Sequence, residues 1–355
     1  MGWKNAVKLF VFSILGIVLI TKTSYVLRDK TAADRQAPFY DEKKNSIDIL
    51  LLGPSTMDLA ISPMALYQEY GYTSYNLANG GQSLAINYWC LKDALTRQDP
   101  ELVVLDISYL HMQDILAGQP ARLSQFVDNM PLSVNKVKCI MDLTEFDKWK
   151  DYLFNIRIYH SRWKELMKSD FTKILSINKG GTISFEKWGG KYPPPVSEWD
   201  VLEKSDKKSV YEYKISIEYI EKIVSLCEEQ GCELLFIKLP AYATGEVNHG
   251  NGEELQRLWN GFYDYADDNY LTYINFIHDI DNININFSDD FYDWTHMNYL
   301  GNCKMTHYLG EYISENYNIE DRRGNPLYCE WENTYMVYET YIREHLKNTM
   351  WEDEN

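Results

Sequence analysis

The chain has 355 residues, with 35 Lys and Arg against 52 Asp and Glu, a formal net charge of −17. That balance excludes the basic face on which nucleic-acid binding normally rests. Hydrophobic residues at 45% and aromatics at 14% exclude a disordered chain, and at this length one large decorated domain or two small ones can bury a core. The cysteines Cys90, Cys139, Cys227, Cys232, Cys303 and Cys329 form no C-x-x-C pair and have no His at zinc spacing. They read as small buried hydrophobes and imply neither a metal site nor a disulfide framework.

Lys4 and Lys8 precede an apolar run from Leu9 to Ile20 that continues past Lys22 to Leu27. Counted from Ala6, with Lys22 snorkelling, the stretch reaches the roughly 20 residues a spanning helix needs. With no A-x-A-like site close behind it, it reads as an uncleaved anchor in preference to a removed signal peptide. Lysines on the short side place that side in the cytoplasm and the rest of the chain outside. The expected organisation is a signal-anchor at 1–28, a polar stalk at 29–46, an α/β domain at 47–316 interrupted by an insertion at 110–210, and a helical tail at 317–355.

Ile47 to Leu52 is a nearly continuous apolar run ending in Gly53-Pro54-Ser55-Thr56, which predicts a strand covered on both faces and running into a tight turn. Ser62-Pro63 opens a helix to Tyr70, with Ser62 as N-cap. A strand at 73–77 ends in Asn76-Leu77-Ala78-Asn79-Gly80-Gly81, a helix follows to Leu95, and a third strand spans 102–107. After the insertion, a helix at 213–229 stopped by Gly231, a strand at 233–237, a helix at 253–268 and a strand at 271–276 resume the alternation. A last helix, 299–315, follows Asp293-Trp294-Thr295-His296. This order predicts a parallel sheet between helical layers, the first strand central, with ligands at the strands' carboxyl ends. In the tail, Trp331, Tyr335, Tyr338 and Tyr341 at helical spacing predict an amphipathic helix that docks on the domain.

Three blocks stand at strand ends. Ser55 lies where the first strand turns into a helix, the place where a nucleophile gains from helix N–H groups. Asp293 and His296, three apart, let a carboxylate fix the imidazole tautomer while the other ring nitrogen faces a serine. Gly80-Gly81 offers a close-approaching backbone N–H for an oxyanion. The insertion carries Arg157, His160, Arg162, Trp163 and Lys164, a basic and aromatic island in an acidic chain. It reads either as a rim site for an anionic sugar polymer or as a solvated helix face with its aromatics turned inward. The Gly- and Pro-rich stretch 179–195 reads as part of the same insertion, set over the strand ends. His111, His249, His278, His307 and His345 lack a comparable context.

The three blocks resemble those of the SGNH, or GDSL-like, hydrolase and acyltransferase superfamily. Ile49 to Ser55 resembles its first block, Asn76 to Gly81 its second, and Asp293-Trp294-Thr295-His296-Met297-Asn298-Tyr299-Leu300-Gly301 its fifth, in the form D-x-x-H-x-N-x-x-G. With the anchor and the long insertion, the chain looks most like the membrane-anchored subgroup that includes the D-alanyl transfer protein of teichoic-acid D-alanylation and surface-polysaccharide acylation proteins. The resemblance implies a three-layer α/β/α flavodoxin-like fold with a five-stranded parallel sheet. It further implies Ser55 as nucleophile, His296 as base, Asp293 as orienting group, and an oxyanion hole from Ser55, Gly81 and Asn79. No cofactor or metal is called for. The implied partners are a cell-surface glycan or teichoic-acid-like polymer and a membrane-bound O-acyltransferase, and the location is a single-pass cell-membrane protein with its domain outside. Two positions depart from the pattern: Pro54 precedes the serine, and the third block reads Asp106-Ile107-Ser108-Tyr109, without the usual oxyanion Asn. A catalytically inactive module that docks an acyltransferase or binds its polymer fits the same residues.

Overall fold

The computed structural model describes residues 3–28, 33–113, 120–171, 180, 207–241 and 252–350. Its centre is a sheet of β1 (Ile49–Leu52), β2 (Ser74–Asn76), β3 (Leu102–Asp106), β4 (Glu233–Lys238) and β5 (Thr272–Asn275) in the order β2-β1-β3-β4-β5. Every pairing is parallel, as expected of strands whose apolar runs do not alternate. The expected placing of β1 needs one correction: it is interior, flanked by β2 and β3, but β3 is the middle strand. The chain lays β2 on one side of β1 and everything later on the other. The switch point, where α/β sheets open a crevice, therefore lies at the carboxyl ends of β1 and β3.

Successive strand residues face opposite sides and build two cores. Leu50, Leu52, Val103, Leu105 and Phe236 pack with α5 (Leu84–Ala94), α11 (Lys214–Gln230) and α12 (Gly252–Asp268). Ile49, Leu51, Val104, Leu235 and Ile237 pack with Met57 of α3 (Ser55–Ala60), Leu66 of α4 (Pro63–Tyr70) and Met305, Leu309 and Ile313 of α14 (Tyr299–Asn316). This is the three-layer α/β/α arrangement. Its helix ends follow local chemistry. Ser62 and Ser83 accept from Ala65 N and Ile86 N to cap α4 and α5, and Gly231 ends α11 in the left-handed conformation.

At the N-terminus, α1 (Trp3–Leu27) is 25 residues, about 37 Å at 1.5 Å per residue, against a hydrocarbon thickness of about 30 Å. It is long and apolar enough to span a membrane, and none of its most apolar stretch is buried against the rest of the protein. The segment expected as a stalk is instead partly built into the domain. There α2 (Ala33–Phe39) ends in Phe39, which is buried edge-on against Tyr75, and Tyr40 hydroxyl donates to Asp93 at 2.7 Å.

The described part of the insertion holds α6 (Pro120–Val127), α7 (Val134–Leu143), α8 (Trp149–Leu153), α9 (Ile156–Tyr159) and 3₁₀ turns at His160–Lys164 and Lys168–Phe171, followed by α10 (Lys207–Glu212). Of the stretch 179–195, only Gly180 lies within the described residues. After α13 (Ile280–Ile283) and α14, the chain closes with α15 (Cys329–Met350). This helix buries Trp331 against Tyr67 and Tyr338 against the Ser62 hydroxyl, so it docks on α4 as its aromatic spacing requires.

Candidate active site

β1 ends at Leu52, and the chain must turn at once to start α3 at Ser55. Gly53 makes this possible. Its φ of +150° disfavours any side chain, and a Cβ there would lie 2.9 Å from Asp106 Cβ. Pro54, which departs from the superfamily pattern, takes the N-cap position in extended backbone, compatible with its ring. Ser55 is thus the first residue of the helix, and its own N–H is one of the amides the helix leaves without an internal partner. The turn is braced from below. Thr56 Oγ1 donates to Asp106 Oδ2, while Asp106 Oδ1 accepts from Ser108 N at 2.9 Å and Ser108 Oγ at 2.6 Å. Asn76 at the end of β2 donates to the carbonyls of Met57 and Ile61, both at 3.2 Å, tying α3 to the neighbouring strand.

The loop before α14 brings the other two members of the cluster. Asn298 caps α14, accepting from Leu300 N at 2.9 Å and Gly301 N at 3.2 Å, and anchors backward by donating to Asp289 O at 2.6 Å. Phe291 and Met297 pair across an antiparallel bridge, so residues 292–296 form a closed turn. From this turn His296 Nε2 lies 2.7 Å from Ser55 Oγ, and His296 Nδ1 lies 2.7 Å from Asp293 Oδ2. Asp293 Oδ1 accepts from Thr295 N and His296 N, both at 2.8 Å. Burial pushes the Asp293 carboxyl up, but the hydrogen bonds from His296 and Thr295 outweigh it and hold the group at about 2. An ionised Asp293 against Nδ1 fixes that nitrogen as the N–H. Nε2 is then an acceptor aimed at the serine hydroxyl. Ser55, His296 and Asp293 are all half-buried, open enough for a substrate to reach.

The second-block loop, which carries Asn79 and Gly81, is tied to the turn before Ser55. Asn79 N donates to Gly53 O at 3.2 Å, holding the second-block loop against the turn before Ser55. Asn79 Oδ1 accepts from Gly80 N at 2.7 Å, which engages the first of the two glycine amides. Gly81 has a φ of +69°, and a Cβ there would lie 2.6 Å from Arg122 Nε.

Sequence reasoning missed three residues. Arg122, in α6, donates to Gly80 O at 2.6 Å and lays its guanidinium along both glycines. It stands in an insertion without α/β periodicity, so no pattern marked it. Asp106 opens the third block, whose sequence pattern gives it no role of its own. Lys238 ends β4 as a fully buried cation, its ammonium 4.4 Å from the Trp259 ring centre. Burial raises the Asp106 carboxyl and lowers Lys238 to about 8, so each is driven toward its uncharged form against their mutual attraction. A lysine in an apolar strand gives no sequence signal of burial.

The aromatic-basic island is fastened to the end of α1. Arg162 donates to the last carbonyls of α1, Leu27 O at 2.7 Å and Arg28 O at 2.5 Å, and pairs with Asp170 at 3.1 Å. Arg157 pairs with Asp151 at 2.7 Å, His160 Nδ1 meets Arg157 O at 2.9 Å, and Trp163 is exposed. These contacts connect the island to the end of α1 instead of to the Ser55 hydroxyl. Among the described residues no group of His, Cys, Asp and Glu is arranged to hold a metal ion.

No protein-family model matches this chain. No curated protein matches it either. Among solved structures, it is similar to a Bacteroides fragilis protein described as a "putative acylhydrolase", with a TM-score of 0.40 and 11% identity over 81% of this chain and 99% of the other.

Proposed function

We propose that the protein is a serine O-acyltransferase or esterase of the SGNH type, anchored by α1 in the cell membrane and acting outside the cytoplasm on a surface polysaccharide or teichoic-acid-like polymer. The observation that carries this reading is the relay Ser55 Oγ, His296 Nε2, Asp293 Oδ2, with both links at 2.7 Å, at the carboxyl end of β1. Nucleophile, base and orienting carboxylate are then in the order that acyl transfer uses. His296 Nε2 takes the Ser55 proton as Oγ attacks the acyl carbonyl carbon, and the carbonyl electron pair moves onto oxygen. The N–H groups of Ser55 and Gly81, with Asn79 Nδ2, are the donors for that oxygen. As the intermediate collapses, the leaving group departs with the proton from His296, and the acyl group stays on Ser55. An acceptor hydroxyl, or water, repeats the steps and frees Ser55. No step calls for a metal or an organic cofactor.

With no third-block Asn, one oxyanion donor is missing, and such a loss typically costs about 100- to 1,000-fold in turnover. Slow hydrolysis suits a transferase, whose acyl-enzyme must outlast its exposure to water. A membrane-bound O-acyltransferase is the partner this reading proposes as the source of acyl groups. The test is polymer acylation in cells carrying Ser55→Ala, His296→Ala or both. Each single change should abolish acylation with folding and membrane location intact, and the double should be no worse than either, since residues working as one unit are not additive. Full acylation in the Ser55→Ala strain would leave only a docking module.

A further inference from the structure

The end of α1 is held by the insertion at several points. Besides the Arg162 bonds to Leu27 O and Arg28 O, Arg28 donates to Asp128 O at 2.7 Å and Ser24 bonds Asn155. The last turns of α1 pack on α9 and on both 3₁₀ turns that follow it. On these short elements and the residues joining them, large apolar side chains face outward: Phe154 at 58%, Trp163 and Met167 at 65%, and Phe171 at 64% exposed. Single exposed apolar residues are ordinary, but four within 18 residues, in a segment whose elements pack against one helix end, are not. Between them stand Arg157, Lys164 and Lys168, all exposed, and Lys164 Nζ lies 5.7 Å from the Trp163 ring centre.

We propose that this surface, built from residues 154–171, lies in the headgroup layer of the bilayer as a collar around the exit of α1. The proposal rests on reading α1 as membrane-inserted. If its apolar length fills the hydrocarbon, then its last turn reaches the interface, and whatever packs on that turn stands at the same depth. Trp, Phe and Met there bury against acyl chains, and the cations meet anionic headgroups. That division of labour characterises interfacial segments, and it explains a basic island in a chain of net charge −17. A soluble protein partner would need neither the depth nor the mixed aromatic and cationic edge.

The collar also sets the height of the active site. Arg122 touches Gly80, and Asp128, six residues on, touches Arg28. Asp128 directly follows α6, so the two positions lie about 9 Å apart along the helix axis. The Ser55 crevice then opens close above the bilayer, where a membrane-tethered acyl donor or polymer is held.

The test uses the full chain in phosphatidylglycerol–phosphatidylcholine vesicles whose lipids carry bromine high in the acyl chains, a short-range quencher of Trp fluorescence. In the Trp3→Phe protein, emission should be quenched, and adding Trp163→Phe should remove a measurable part of that quenching. The difference between the Trp163→Phe protein and the double variant lacking both Trp3 and Trp163 reports α1 separately through Trp3. If Trp3 is quenched there while Trp163 contributes nothing, α1 is inserted and the collar stands in water or awaits a protein partner, which overturns the proposal. If Trp3 is not quenched either, the membrane reading of α1 falls and the collar with it.

Discussion

Replacing Asp293 by Asn keeps the shape of the site and inverts one hydrogen bond. Oδ1 accepts from Thr295 N and His296 N at 2.8 Å each, and those two backbone donors would hold the amide oxygen of Asn in the same place. The amide nitrogen must then occupy the Oδ2 position, 2.7 Å from His296 Nδ1. Being a donor only, it forces Nδ1 to accept, so the ring proton moves to Nε2 and points at Ser55 Oγ. The base has lost the lone pair it needs. In a Ser-His-Asp relay this isosteric change costs about 10⁴-fold in turnover, equivalent to about 5.5 kcal/mol at 1.36 kcal/mol per tenfold. Asp293→Ala removes the charge without imposing a donor and should cost less. The assay is release of nitrophenol from a short-chain ester by the purified full chain, with circular dichroism to show unchanged folding. Because hydrogen bonds hold Asp293 at about 2, it is ionised near neutral pH, and its protonation does not produce a rate limb there. Asp293→Asn activity within tenfold of wild type, or a loss no greater than that of Asp293→Ala, would refute the tautomer argument.

Other consequences concern stability. Lys238 is held at about 8 in the fold and returns to the ordinary lysine range on unfolding, so between those values the unfolded chain binds more protons. Stability should therefore rise with pH across that window relative to Lys238→Met, by up to about 1.4 kcal/mol per pH unit, measured by urea unfolding at pH 7.5 and above. Thr56→Val leaves the buried Asp106 Oδ2 without its hydroxyl partner and should cost about 1–3 kcal/mol in the same assay. Arg322 clamps Asp48 beside β1 through Nε at 3.0 Å and Nη2 at 2.8 Å, and Arg322→Met leaves that buried carboxylate without its cation, held by the Thr73 hydroxyl. A loss of about 3–5 kcal/mol is expected. Gly53→Ala should lower stability by more than 1 kcal/mol and slow ester hydrolysis, because its Cβ meets Asp106 and shifts the turn that presents Ser55.

The parts of the fold that were legible are those that short-range chemistry dictates. Unalternating apolar runs gave the strands, and Ser62 and Gly231 gave helix ends. Asn298 was noticed as a motif letter, but its work is mechanical: it caps α14 and so fixes the loop that carries His296. Asn76 likewise braces α3. What stayed hidden depends on tertiary placement. A charged cluster such as Arg157 to Lys164 looks the same in sequence whether it meets a polymer, water or the end of a helix. Its geometry appears only when Arg162 is seen to hold the carbonyls of Leu27 and Arg28. Arg122 and Lys238 were invisible for the same reason, since nothing near them in sequence announces Gly80 or Trp259.

The central claim, that His296 activates Ser55 for attack on an acyl group, is tested most directly by treating the full chain with a fluorophosphonate and mapping the modified peptide by mass spectrometry. One adduct is expected, on Ser55, absent in Ser55→Ala and nearly absent in His296→Ala, with both variants folded. No adduct on Ser55, or labelling of Ser55 at an undiminished rate in His296→Ala, would contradict it.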